Sequence, residues 1–288
     1  MDIAILYKEN KSLLFSLAYR MLGSVMDAED IVQETFVTFD QLPNREYITN
    51  DKAYLCKIVT NRCLDLLRSS AKKRELYVGP WLPEPLLNQE ILENDPAISY
   101  LQKESLTTAY LLLLQQLNAM ERAVFLLREI FPYTYEEIAD MVGKSVANCR
   151  QIYQRAKRSI HFDPETIPSV TEAQTQVKDF VQSIIQGNTT HLLELIREDV
   201  VCYNDGGGKV RAAQIPVVGS SKVIHMHINL IKMYNSEYKV QFAEVNGLPG
   251  MVIVMNSGTK YVYSFSFKGD QIQFIYVVAN PNKLLHIR

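Results

Sequence analysis

At 288 residues the chain is long enough for two domains or three small ones, and 47% hydrophobic against 22% charged residues excludes a disordered chain. A formal net charge of −2 excludes a uniformly basic coat, so contact with nucleic acid has to come from local patches. No stretch approaches the roughly 20 apolar residues of a membrane span, and Met1-Asp2-Ile3 does not open a signal peptide, so a cytoplasmic protein without membrane attachment is expected. The four cysteines, Cys56, Cys63, Cys149 and Cys202, make no C-x-x-C pair. They are expected to fill apolar positions in a reducing compartment, with no metal and no cofactor.

Residues from Ile3 to about Glu75 read as helices, and 1–75 is taken as a first domain. Leu13, Leu14, Leu17 and Met21 recur at spacings of three and four, and Gly23-Ser24 breaks that helix. Asp27 is expected to cap the next, which buries Ala28, Val32, Phe36 and Phe39 and shows Asp30, Gln33 and Glu34 on a polar face. Pro43-Asn44 ends it. A long helix follows from about Asp51 to Ala71, with Leu55, Ile58, Val59, Cys63, Leu66 and Leu67 on one side. Lys57, Asn61, Asp65 and Arg68 fall on another side, with Arg62, Lys72, Lys73 and Arg74 adding charge. Such a helix suits phosphate tracking and contact with unpaired bases, although a merely solvated surface helix carries the same residues.

Residues 76–97 hold Gly79, Pro80, Pro83, Pro85, Pro96 and the only tryptophan, Trp81, and read as an extended linker. Helical pattern returns over 98–162. There Thr134-Tyr135-Glu136-Glu137 fits a capping box, and Ile138, Ala139 and Val142 form a core stripe. Gly143 permits a sharp turn, and Ser145 can cap a second helix that buries Cys149, Ile152 or Tyr153, Ala156 and Ile160. Its other faces carry Asn148, Arg150, Gln151, Gln154, Arg155, Lys157 and Arg158, with no acid from Lys144 to Ile160. Asn, Gln and Arg at the start of such a helix can pair with base edges, and cations further on suit phosphates. An ordinary basic α-hairpin is the bland alternative.

From 170 to 288 the pattern is α+β, with helices over about Thr171–Ile196 and Ser221–Tyr234. Strands are expected at Tyr238–Val245, Met251–Asn256, Lys260–Phe267 and Gln271–Val278, joined by turns at Gly247-Leu248-Pro249-Gly250 and Lys268-Gly269-Asp270. That gives a meander-like antiparallel sheet. Asp205, before Gly206-Gly207-Gly208, is expected on a surface loop. Asp199, Asp205, Glu237 and Glu244 are the acids near the strands. On a helix His225 and His227 point apart and cannot share an ion.

Together these stretches resemble the sigma-70 family. Ala18 to Ser24 followed by Asp27 to Phe36 is similar to region 2, which grips the polymerase β′ clamp. Ala53-Tyr54-Leu55 through Asn61 to Arg68 is similar to the part that melts and reads the −10 element. Leu117 to Phe125 through Arg155-Ala156-Lys157 is similar to region 4, which reads the −35 element; regions 2 and 4 joined by a short linker are the extracytoplasmic-function (ECF) arrangement. Gly79-Pro80-Trp81-Leu82-Pro83-Glu84-Pro85, Asp205-Gly206-Gly207-Gly208-Lys209 and Asn280-Pro281-Asn282-Lys283-Leu284 resemble marks of one ECF group that carries a fused SnoaL-like domain. That group usually has Asp at the position of Asn282.

The resemblance implies two all-α domains followed by an α+β cone with a curved antiparallel sheet, often enclosing a pocket. It implies a non-enzymatic promoter-specificity subunit, monomeric when free. The partners are core polymerase (β′ clamp and β flap), promoter DNA and a small ligand in the pocket. The extra domain acts on the sigma core in cis, without a separate anti-sigma factor. Asp30, Gln33 and Glu34 are the expected polymerase contacts. Lys57, Asn61, Arg62, Asp65 and Arg68 face the −10 strand, and Asn148, Arg150, Gln151, Gln154 and Arg155 the −35 element. Trp81, Asp205, Gly206, Gly207, Gly208, Lys209, Asn280, Pro281, Lys283 and Leu284 are the expected regulatory contact between domains. Two other classes stay in view. One is a one-component regulator whose C-terminal pocket senses a ligand. The other is a SnoaL-like isomerase or cyclase, which a buried Asp or His at the pocket floor would favour.

Overall fold

The computed structural model describes residues 3–43, 45, 47–87, 106–160, 168–234 and 237–287, with the side chains of 71–74 excepted. Asn44, the linker from 88 to 97 with Pro96, the expected helix start at Ile98, and the side chains of Lys72, Lys73 and Arg74 lie outside the described residues. The chain divides into two compact units. The first takes in the described residues up to 75, Leu106 and 110–160; the second takes in 76–87, 107–109 and 168–287.

In the first unit, α1 (Ile3–Leu22), α2 (Val25–Asp40) and α3 (Asp51–Glu75) pack together. Gly23 ends α1 in the left-handed region (φ 67°), its N–H donating to the Tyr19 carbonyl at 2.7 Å. The cap of α2 is Ser24, whose hydroxyl accepts from the Asp27 N–H at 3.1 Å. Asp27, expected as the cap, sits instead three positions into the helix, where its charge still favours the N-terminus. Ala28, Val32, Phe36 and Phe39 are buried as the pattern requires, and so are Leu55, Val59 and Cys63 on α3, which packs on α2. Each large apolar side chain so buried contributes about 1.5–3 kcal/mol. Of the stripe expected on α3, Ile58, Leu66 and Leu67 are only half-buried.

The same unit holds most of α4 (Thr108–Gln116), with α5 (Ala119–Glu129), α6 (Tyr135–Val142) and α7 (Val146–Ser159). Arg122 is buried in α5 and donates to the carbonyls of Met21 and, at 3.1 Å, Leu117. This fastens the later helices to the end of α1.

The second unit is a curved, mixed six-stranded sheet, β2-β1-β6-β5-β4-β3, with helices packed on it. Its helices are α8 (Val170–Gln186), α9 (Thr189–Leu195) and α10 (Ser220–Tyr234). Its strands are β1 (Ile196–Asp205), β2 (Val217–Val218), β3 (Tyr238–Val245), β4 (Leu248–Met255), β5 (Lys260–Lys268) and β6 (Gln271–Val278). From β3 to β6 the sheet is the expected antiparallel meander. The helical stretch expected to reach Ile196 stops at Leu195, and β1 begins there and pairs in parallel with β6. The β3–β4 turn is Asn246-Gly247, both at positive φ, and Pro249 and Gly250 lie within β4. Phe180, Ile184, Val223, Phe265 and Ile275 are among the side chains that fill the core between helices and sheet.

Candidate nucleic-acid interface and the linker clamp

The helix-turn-helix is built from local signals. Thr134 and Glu137 form the reciprocal capping box, and Gly143 closes α6 at φ 63°. Ser145 caps α7, accepting from the Asn148 N–H at 3.2 Å. Burial of Cys149, Ile152, Tyr153 and Ala156 turns Asn148, Arg150, Gln151, Gln154 and Arg155 outward, and all five are exposed. Three cations of α7 meet acids from other helices: Arg150 with Glu136 at 3.7 Å, Arg155 with Glu121 at 4.0 Å and Lys157 with Glu129 at 3.5 Å. Arg150 also stands over the Tyr135 ring, 5.5 Å from its centre. Exposed pairs of this kind contribute well under about 1 kcal/mol each, so they exchange readily for other anions.

On α3, Asn61, Asp65 and Arg68 are exposed, and Asp65 pairs with Arg68 at 3.1 Å. Lys57 and Asn61 are engaged by α6. Lys57 meets Asp140 at 2.9 Å, and the Asn61 amide donates to the Met141 carbonyl at 3.0 Å. Asp30, Gln33 and Glu34 are exposed on α2. Arg62 turns away from the Lys57 face toward α2, pairing with Glu34 and donating to the Thr38 hydroxyl at 2.7 Å. An expected polymerase contact and an expected DNA contact thus hold each other.

A second cluster lies within the second unit. Asp205 is the last residue of β1 and fully buried, not on a surface loop. One carboxylate oxygen accepts from the Leu82 N–H at 2.8 Å and the Lys283 ammonium at 2.7 Å; the other accepts from the Tyr77 hydroxyl at 2.5 Å. Its backbone carbonyl takes the N–H groups of Ala279 and Asn280. Both oxygens are used inside the unit, which removes Asp205 from any outward docking surface. Lys283, itself buried, donates to the Leu82 carbonyl and lies over the Trp81 ring at 4.0 Å and the Tyr77 ring at 4.9 Å. The Asn280 amide donates to the Tyr77 hydroxyl at 2.8 Å. Burial and the Asp205 bond push the Tyr77 phenol well above its usual range.

Gly207 sits at φ 56° where a Cβ would run into the Asn280 amide, so only glycine fits. Gly206 is buried and Gly208 faces Val78, whereas Lys209 is exposed. Pro281 opens a single 3-10 turn, Leu284 behind it is buried, and Asn282 is exposed. Farther along, Leu86 pairs with Asn246 through the backbone at 2.8 Å, and the Pro85 carbonyl meets His286 at 2.8 Å. Sequence reading missed Tyr77, Asn246 and His286. Only the Asn-Gly hairpin signal at Asn246 could have drawn attention to one of them.

His225 and His227 fall on α10 and diverge, the first exposed and the second buried. His227 lines a cavity beside Phe180 and Tyr263.

Helices α1–α3 with an acidic face and a basic face, followed by a capped helix-turn-helix, define a sigma factor of the sigma-70 type. Residues 6–73 match the family Sigma-70 region 2, and residues 107–160 match Sigma-70, region 4. The chain is 31% identical over 285 residues to the ECF RNA polymerase sigma factor SigJ of Mycobacterium tuberculosis, covering 94% of this chain and 89% of that one. It is 27% identical to the probable ECF RNA polymerase sigma factor SigI of the same organism, covering 99% and 96%. The crystal structure of M. tuberculosis SigJ superposes with a TM-score of 0.78 at 26% identity, over 98% of both chains. The chain belongs to the ECF RNA polymerase sigma factors.

Proposed function

We propose that the chain binds core RNA polymerase and directs initiation at its own promoters, with the C-terminal domain setting in cis when it does so. Asp30, Gln33 and Glu34 on α2 meet the β′ clamp, and region 4 rests on the β flap. The α3 face with Lys57, Asn61, Arg62, Asp65 and Arg68 takes the −10 strand, and the start of α7 reads the −35 element. The observation that carries this is the capped α7, with Asn148, Arg150, Gln151, Gln154 and Arg155 all exposed on its outer side. Run-off transcription with core polymerase and promoter templates tests it. The expected result is a defined transcript only when the chain is present; no transcript from any template selected by the chain would overturn it.

The linker clamp supports control in cis. It seats the first part of the segment joining regions 2 and 4 on the C-terminal domain, so whatever loosens that domain also frees the connection. His227 in the cavity is what the enzyme reading asks for. Yet its Nδ1 rests on the Val223 carbonyl at 2.8 Å, not on a carboxylate, and no acid lines the cavity among the described residues. A proton taken by Nε2 would leave an unpaired imidazolium among aromatic rings, which favours binding over proton transfer.

A further inference from the structure

Tyr135 opens α6 and is half-buried, with partners on both α5 and α7. Its ring is braced by Tyr153 of α7, which meets it edge-on with 6.0 Å between centres and 70° between planes. Tyr153 is itself buried, stacked on Phe125 of α5 at 6.4 Å and bonded through its hydroxyl to Glu129. Two guanidinium groups stand over the Tyr135 ring, that of Arg128 from α5 at 4.8 Å from its centre and that of Arg150 from α7 at 5.5 Å. Arg128 is tied down by its bond to the Tyr133 carbonyl at 2.8 Å. Arg150 meets, besides the ring, the Glu136 carboxylate at 3.7 Å, and its side chain is 60% exposed. These two contacts differ in what they leave for DNA. A carboxylate competes with a guanine edge for the same N–H groups, so the Glu136 pair has to give way when a base is read. A ring face attracts the charge as a whole and consumes no N–H, so the Tyr135 contact persists while the N–H fork is bonded to a base. It also narrows the rotamers open to a long, exposed arginine, which lowers the entropy lost when that side chain is fixed on DNA.

We propose that Tyr135 is a positioning residue for promoter recognition, whose ring holds the Arg150 guanidinium at the start of α7 in the orientation that reads one base pair of the −35 element. The inference rests on the base-reading role proposed for Arg150. The phenol oxygen has no part in it, so a ring without the hydroxyl should serve as well.

The test uses holoenzyme formed from the full-length chain, on a promoter selected by that holoenzyme and on variants of it with single base pairs changed across the −35 element. Arg150→Ala identifies the base pair that Arg150 reads, as the position where footprinting titrations lose their preference for the selected base. Tyr135→Leu should lower the preference at that position about twofold to fivefold, the range of one solvent-exposed cation–ring contact, and leave the other positions unchanged. Tyr135→Phe should keep the preference, and Tyr135→Leu should add no further loss in the Arg150→Ala background. In the free full-length chain, a nuclear Overhauser contact should join the Arg150 side-chain protons, assigned through Arg150→Lys, to the Tyr135 ring. That arm needs no variant at 135, so a folding defect of Tyr135→Leu cannot hide the answer, and absence of the contact would overturn the proposal. So would an equal loss with Tyr135→Phe and Tyr135→Leu, an even loss across every −35 position, or additive losses in the double variant. If Arg150→Ala loses preference and Tyr135→Leu loses none, the proposal alone fails. If Arg150→Ala loses none at any position, the base-reading role fails and the proposal with it.

Discussion

Asp205 and Lys283 form the most deeply buried ion pair among the described residues, with side-chain exposures of 0% and 8%. Such a pair adds little over an apolar pair, but removing one partner leaves a bare charge in the interior. Asp205→Ala should therefore cost about 3–5 kcal/mol. Urea denaturation should give a lower midpoint for the second unit, and protease should cut near Trp81 at concentrations that spare the wild type. An unchanged midpoint and cleavage pattern would show that the linker is held by packing alone. The four cysteines make a second prediction. All are buried, and burial pushes Cys56 up to about 11 and Cys202 to about 12. At pH 8 their thiolates are scarce as well as inaccessible, so iodoacetamide should label the native chain slowly and the urea-unfolded chain fully. Rapid loss of a thiol from the native chain, read by mass spectrometry, would contradict the packing.

At the scale of elements, α7 divides by position. Arg150 and Gln151 lie in its first turns, where a recognition helix meets base edges, and Lys157 lies in its last turn. Arg150→Ala and Gln151→Ala should each cost about 1–3 kcal/mol on a matched −35 element and little on a mismatched one. Lys157→Ala should weaken both alike. Footprinting on the two templates decides, and equal losses on both for Arg150→Ala would remove it from base reading. On α2, Asp30→Lys with Glu34→Lys should abolish capture of core polymerase while circular dichroism stays unchanged. The Glu34–Arg62 pair is exposed, so its loss is a small cost to the fold. Normal capture would place the polymerase contact on another face. These helices were legible in the sequence because their signals are local. A capping box spans four residues, and a stripe repeats within a turn. The strand β1 was not legible. Arg197, Glu198 and Asp199 near its start break the apolar alternation that marks a strand, and its partner β6 follows some seventy residues on. The clamp was legible only through the family resemblance. Its bonds join Tyr77 and Leu82 to Asp205 across 128 and 123 residues, a distance over which no periodicity operates.

Within the first unit as a whole, α3 and the helix-turn-helix are packed on one another through Lys57–Asp140 and Asn61–Met141. The −10 and −35 elements that we propose for them are separated by roughly 25 base pairs, about 85 Å at 3.4 Å each. Helices in contact cannot reach both, so the proposed promoter reading requires this packing to open. Carbodiimide, which joins amines to carboxylates only where they touch, should link Lys57 to Asp140 in the free chain. The linked peptides would be found by mass spectrometry, and the linked fraction should be inactive in run-off transcription. Core polymerase added beforehand should suppress the link. Full transcription from the linked fraction would mean that the two regions work in their packed form.

The acids flanking α7 carry a thermodynamic consequence. When a bare cation meets a phosphate, counterions leave the DNA, and affinity falls with salt by about 0.9 logarithmic units per contact per decade. Arg150, Arg155 and Lys157 are not bare, since Glu136, Glu121 and Glu129 stand beside them. On the role proposed for α7, each pair must be traded away before a phosphate or base is engaged, and rising salt weakens the internal pair along with the new one. The chain therefore carries its own competing anions. Its affinity for promoter DNA should depend on ionic strength less steeply than its count of contacting cations implies, with discrimination between sequences retained at salt concentrations that would strip a protein with unshielded cations.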